Sequence, residues 1–474
     1  MKYAINIREL EQGCKDIIDL ANKEINITDV KGLRENLIDY LIYTVVFSPD
    51  IQARKKAHRI IWYTAINLGI YPASIHSLYM AMGRDEVKGF TTPAMNFRCL
   101  TYDVCRRVFR VASSINAGAF IFEIAKSEMQ YTFQSPAEYT ACVLAAAIKE
   151  NYRGPVFIQG DHFQLKADNY KTDPEGELSS LKDLCKKAVN AGFYNIDIDA
   201  STLVDYSKQS LSDQQYHNYL CTAALTAFLR EIEPEGITIS VGAEIGHIGG
   251  KNSTPHEARA FMEGFKNSFL ENTDGISKLS VQTGTAHGGI PLPDGTVADV
   301  KLDFRVLKDI GELVKKEYGL SGTVQHGAST LPDELFDKFP ENNCSEIHLA
   351  TGFQNIMYDF APEEFKQEIY GFLKESFRSD WKDGMTEQQF IYKSRKRGFG
   401  PFKQKWWSLP VEYKSMILDE IEKKLKLLFE KLGVKDTKPF VNKYIPEVIP
   451  PYSEPEISTQ SLDATEIKLE EGAD

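Results

Sequence analysis

The 474-residue chain has few cysteines, no long apolar run and no surplus of basic charge, and each shortage removes a class of protein. Its seven cysteines are scattered, with no pair at CxxC spacing, so a disulfide framework is not expected and reduced thiols in a cytoplasmic protein are. The longest apolar stretch, Leu37–Ser48, is shorter than the roughly 18 residues a spanning helix requires and contains Asp39, which argues against a membrane protein. Met1–Leu10 carries Lys2, Arg8 and Glu9 and has no apolar signal core, so export is not expected either. Net charge is 55 − 67 = −12, and Pro451–Asp474 holds seven acids against one lysine. A basic face for nucleic acid is therefore not expected, although a local site could still bind an anionic small molecule.

What is present is globular: 42% hydrophobic and 26% charged residues. The length exceeds what one core usually fills, which points to one large domain with appendages. In residues 1–86, Asp16–Glu24, Leu33–Val46 and Gln52–Asn67 place apolar residues three and four apart. They predict a helical extension, serving as a cap or as the contact of a homo-oligomer, with His58 and His76 structural. From 87 to 375 short apolar runs alternate with helical stretches. The runs are Gly89–Asn96, Ala119–Ile124, Pro155–Gly160, Tyr194–Asp199, Thr238–Glu244, Lys278–Gly284, Thr323–His326 and Glu346–Ala350. Eight βα units predict an α/β fold, a closed (β/α)8 TIM barrel, with a doubly wound open sheet as the competing arrangement. Residues 376–448 predict a C-terminal helical segment, and 449–474, acidic and without periodicity, a disordered tail.

In such a barrel the site lies at the carboxyl ends of the strands. Those ends carry Asn96, Glu123, Asp161, His162, Asp199, Glu244, His287, His326 and His348. Three imidazoles, His162, His287 and His326, come from separate strands and could make a three-nitrogen metal site with an open position. The competing reading is three hydrogen-bonded histidines, and spacing does not choose between them. Beside a dication Asp161 could exchange a proton with a substrate hydroxyl; its ordinary alternatives are anchoring a ligand or capping a helix. Gly288, Gly289, Gly327 and Ser329 could form an anion cradle. Lys393, Arg395, Lys396, Arg397 and Lys403 form either a second phosphate contact or, more ordinarily, a solvated face. Trp406 and Trp407 are expected to pack against the barrel.

Six short motifs in order, 92–97 (TPAMNF), 160–162 (GDH), 196–201 (IDIDAS), 244–250 (EIGHIGG), 284–288 (GTAHG) and 326–329 (HGAS), resemble the class II, metal-dependent fructose-bisphosphate aldolase family over about 88–360. The resemblance implies zinc, or another divalent cation, on His162, His287 and His326, with Glu244 as an alternative ligand or support. It implies Asp161 as acid–base residue, Asn96 near the substrate, and Gly288, Gly327 and Ser329 around a phosphate. Asp199 and Thr351 are added as substrate-binding positions, and His247 or His348 as the group handling the enediolate carbon.

The sequence departs from the family pattern at four places: Lys251-Asn252 stand where loop acids are usual, His348 where an asparagine is usual, Ala328 for a glycine, and Ile290-Pro291 for a lysine. The expected function is a zinc-dependent lyase of carbohydrate metabolism and glycolysis that cleaves a ketose (bis)phosphate through a metal-stabilised enediolate. The alternatives are a metal-dependent epimerase acting on a sugar or sugar acid, and a barrel that has lost catalysis and serves in assembly.

Overall fold

The computed structural model describes residues 1–20, 25–246, 251–284, 292 and 302–457. Eight parallel strands among them close into a barrel: β1 (Thr92–Asn96), β2 (Ile121–Ala125), β3 (Gly154–Gln164), β4 (Asn195–Asp199), β5 (Ser240–Glu244), β6 (Lys278–Ser280), β7 (Thr323–Gln325) and β8 (Cys344–Leu349). Each pairs with the next, and β8 returns to β1 with Glu346 opposite Thr92 and Leu349 opposite Met95. The fold is the (β/α)8 barrel with helical extensions, and the open sheet is excluded.

Local chemistry explains several helix starts. Ser135, Asp173 and Thr254 each accept a hydrogen bond from the backbone N–H three residues on, and each is followed by a proline at the first helical position. The cap satisfies an N–H that has no partner within the helix, while proline sits where its missing N–H costs nothing. The helices Pro136–Lys149, Pro174–Asn190 and Pro255–Ser268 begin there. No helix among the described residues is long and apolar enough to cross a membrane.

Two expectations change. Residues 1–86 are not wholly helical: Ile70–Ala73 forms a strand parallel to the first part of β3, with Ile70 opposite Gly154 and Ala73 opposite Phe157. From Gln159 onward β3 pairs with β4 instead, so the sheet forks. Asn195 staples the fork. Its side chain accepts from the Ile75 N–H at 2.9 Å and donates to the carbonyls of Ile158 and Ala73 at 3.0 and 3.2 Å, closing backbone groups that the split leaves unpaired. The four-residue run is too short to show alternation, and its partner lies some 80 positions away, so periodicity does not reveal it.

The second change concerns the tail. Residues 449–457 run along the helix Ile51–Asn67, where the Tyr452 ring lies 5.8 Å from Trp62 and 5.4 Å from Tyr63, and Lys55 pairs with Glu454 at 2.7 Å. One aromatic residue supplies the anchor that composition hides. The remainder, 458–474, lies outside the described residues.

The C-terminal segment binds the two ends of the chain together. Trp406 and Trp407 are buried, Trp406 edge-on to Tyr358 at 5.3 Å and Trp407 edge-on to Phe47 at 5.3 Å, as expected of packing residues. Lys393 is exposed, but most of the basic run packs against the protein. Arg395 donates to Asn355 at 2.6 Å, Arg397 pairs with Asp380 at 2.8 Å and stacks over Phe377, and Lys403 pairs with Glu138.

Candidate active site

The carboxyl ends of the strands enclose a buried set of charged side chains, organised by a bulge in β3. Gly160 pairs with Ile196 and Phe163 with Ile198, so Asp161 and His162 together oppose Asp197. Regular alternation would send one of the two outward, and the extra residue lets both face the interior. His162 takes φ +41°, a left-handed conformation that costs a side chain about 1 kcal/mol. Gly160 makes room: a Cβ there would lie 2.4 Å from the Phe163 ring.

His162 presents Nδ1 to Glu244 at 3.6 Å and to Asp199 at 3.4 Å. His326 presents Nδ1 to the same Glu244 oxygen at 3.7 Å, and the two rings stand edge to face with centroids 4.2 Å apart. One donor atom each from His162, Glu244 and His326 lies within 4.8 Å of the others, and all three residues are buried. Donors bound to one zinc at 2.0–2.2 Å sit roughly 3.3–3.5 Å apart, so this set needs little movement to share an ion. The local field agrees. Burial alone would lower the His162 pKa, but Asp161, Asp199 and Glu244 outweigh it and hold the imidazole up to about 10. A place that retains a proton so firmly attracts positive charge, and a divalent cation fits it.

Two other close groupings, Asp161–Asp197–His326–His348 and Glu123–Glu346–His348, include carboxylates already engaged by Lys278 or Gln159. Glu244 stands in the one remaining group of possible ligands among the described residues. His287, His247 and Gly288 lie outside the described residues.

Asp161 is buried with both oxygens engaged: Oδ2 accepts from Asn96 Nδ2 at 2.9 Å and Oδ1 meets His348 Nδ1 at 3.1 Å. Burial works against its ionised form, yet His162 and His348 hold the carboxyl below the usual carboxylate range. Asn96 is oriented in turn by Glu128, which also accepts from Arg98 at 2.7 Å. Asp199, expected to touch substrate, lies 3.4 Å from His162 Nδ1. One of its oxygens accepts from the Ser201 N–H and hydroxyl, and the other from Gln164, leaving its remaining contact for the imidazole. Its pKa settles at about 2, burial being outweighed by these partners.

Gly327 is left-handed at φ +66°, and Ser329 Oγ accepts from the Ala350 N–H at 2.6 Å, tying the turn after β7 to the turn after β8. A Cβ at Gly352 would meet the Ser329 carbonyl at 2.8 Å, so the two turns need that glycine. Thr351 opens the following helix and is buried beside them.

Four residues below the rim escaped the sequence reading: Gln159, Asp197, Lys278 and Glu346, all buried. Asp197 and Glu346 lie two positions before Asp199 and His348, and the period of two that places them on the same face was the available signal. His348 is ringed by carboxylates: Glu346 at 2.7 Å, Asp161 at 3.1 Å, Glu123 at 3.3 Å and Asp197 at 3.4 Å.

The fold and this site define a (β/α)8 barrel with a buried, carboxylate-rich set of possible metal ligands at the carboxyl ends of its strands. Residues 84–400 match the family model for class II fructose-bisphosphate aldolase, and the chain belongs to that family. Among solved structures it is similar to the fructuronate-tagaturonate epimerase UxaE from Cohnella laeviribosi, with TM-score 0.53 and 11% identity over 79% of this chain and 86% of that one. It is also similar to a probable tagatose 6 phosphate kinase from Sinorhizobium meliloti 1021, with TM-score 0.51 and 14% identity over 79% and 97%. The fructose-bisphosphate aldolase from Campylobacter jejuni gives TM-score 0.46 and 16% identity over 78% and 97%. At such identities the first two likenesses bear on the fold alone.

Proposed function

We propose that the protein is a zinc-dependent lyase that reversibly cleaves a carbon–carbon bond of a ketose or ketose phosphate by an aldol reaction. The observation that carries this reading is the meeting of His162, Glu244 and His326 beside Asp161, whose ionised form is favoured by its neighbours. His162, Glu244 and His326 would hold the cation, with His287 the further ligand implied by the family motif. When bound, the ion supplies polarisation of the ketose carbonyl. Asp161 accepts the proton of the hydroxyl next to the breaking bond and returns it in the reverse direction. Asn96 keeps that carboxylate aimed through its 2.9 Å hydrogen bond. Gly327, Ser329 and Thr351 line the turns where an anionic substituent of the sugar would rest. Seven buried, unpaired cysteines support a cytoplasmic setting.

A second reading, epimerisation of a sugar or sugar acid, is favoured by one arrangement: His348 stands where the family pattern has an asparagine and touches Asp161, placing two proton-handling groups side by side. Purified protein loaded with zinc or cobalt and offered ketose mono- and bisphosphates and uronates separates the two. Release of free aldehyde supports the lyase, and exchange at one carbon without aldehyde supports the epimerase. Stoichiometric metal with neither reaction overturns both.

A further inference from the structure

Beneath Asp161 the barrel is not filled by the branched aliphatic layer usual for this fold. Lys278, on β6 and wholly buried, lies 2.9 Å from Asp197 Oδ1, donates to Gln159 Oε1 at 2.8 Å and pairs with Glu346. Glu346 Oε1 meets His348 Nε2 at 2.7 Å, and His348 Nδ1 meets Asp161 Oδ1 at 3.1 Å. Contacts therefore run without a break from β6 through β8 to the carboxylate on β3. A buried ionic set of this kind stabilises no better than apolar side chains of equal volume, so its presence calls for a role other than stability.

We propose that Lys278 is a positioning residue for Asp161, acting through Glu346 and His348. This rests on the reading of Asp161 as the acid–base residue. The ammonium bridges Asp197 and Glu346, two carboxylates that would otherwise repel each other on either side of the His348 Nε2. With the bridge in place Glu346 has one position, the imidazole has one orientation, and Asp161 Oδ1 has a fixed partner. Gln159 reinforces it by donating to Glu346 and Glu123, both at 2.8 Å. Without the ammonium Glu346 keeps its hydrogen bonds from Tyr79 and Gln159, but its repulsion from Asp197 returns, the His348 ring shifts between the two carboxylates, and Asp161 loses its register with the substrate hydroxyl.

The test is Lys278→Gln in the full chain, labelled with ¹⁵N-histidine. The His348 ring signals are identified from their loss in His348→Asn. Expected are an unchanged circular dichroism spectrum and metal content, KM altered by less than about threefold and kcat lowered about 10- to 100-fold. The His348 ring signals should move in both the metal-free and the loaded protein. A folded variant with kcat within about twofold of the parent, or with the ring signals unmoved, overturns the proposal. Should Lys278→Gln not fold, Glu346→Gln breaks the same line, and unmoved ring signals there are equally fatal. A parent protein that turns over no ketose defeats the lyase reading, while the ring signals of the metal-free protein still decide whether Lys278 holds His348.

Discussion

His58, under the C-terminal segment, and His162, on the barrel rim, are both almost wholly buried, yet burial pushes His58 down to about 4 while His162 is held up to about 10. At His58 a hydrogen bond with the Ala137 backbone opposes the cost of burying charge, and burial wins. At His162 three carboxylates do. One region of the molecule thus excludes positive charge and the other collects it, and the neighbours decide which. His76, pushed to about 4 by burial and then by Arg230, belongs with His58; His348, raised by Glu123 and Asp161 against burial, belongs with His162.

That contrast can be broken at several points. The largest effect is expected from His162→Ala, which should abolish stoichiometric metal by elemental analysis and lower turnover by at least about 10³-fold, some 4 kcal/mol. Asp161→Asn should keep the metal and lower kcat by about 10²- to 10³-fold, separating proton transfer from ion binding in steady-state assays. On the other side of the comparison the readout is stability. The folded pKa of His58 lies below its unfolded value near 6.5, so its contribution is complete above pH 6.5 and is lost as pH falls toward 4. The loss is up to about 3 kcal/mol, and urea midpoints at pH 7 and pH 5 should differ less in His58→Phe than in the parent. The smallest effect is expected from Tyr452→Ala. Loss of its contacts with Trp62 and Tyr63 should cost about 1–2 kcal/mol, seen as a Tm a few degrees lower with metal content unchanged.

The barrel was legible because each strand reads as a short apolar run ending in a polar residue, and its rim because those polar ends are histidines and carboxylates. The pairing of Asp161 with His162 on one face was not, since a bulge leaves no mark on periodicity. Lys278 and Glu346 are hidden for a different reason: a charged residue inside a strand ordinarily reads as its solvent face, and only closure of the sheet turns that face inward. The end of a strand marks Asp199 as a rim residue, but its hydrogen bonds with Ser201 and Gln164 arise only through the turn after β4 and the far end of β3, which local pattern does not show. The strand Ile70–Ala73 and the anchoring of Tyr452 both depend on partners far along the chain, which local patterns do not carry.

The forked sheet bears on how this chain can be dissected. A fragment cut where the family match begins, at residue 84, loses Ile70–Ala73, strips residues 154–157 of β3 of a hydrogen-bonded neighbour, and deprives Asn195 of its contacts with Ile75 and Ala73. The bare edge would invite pairing with another molecule. Circular permutation or grafting should therefore carry residues 70–73 along with the barrel, as the missing stave of a cask.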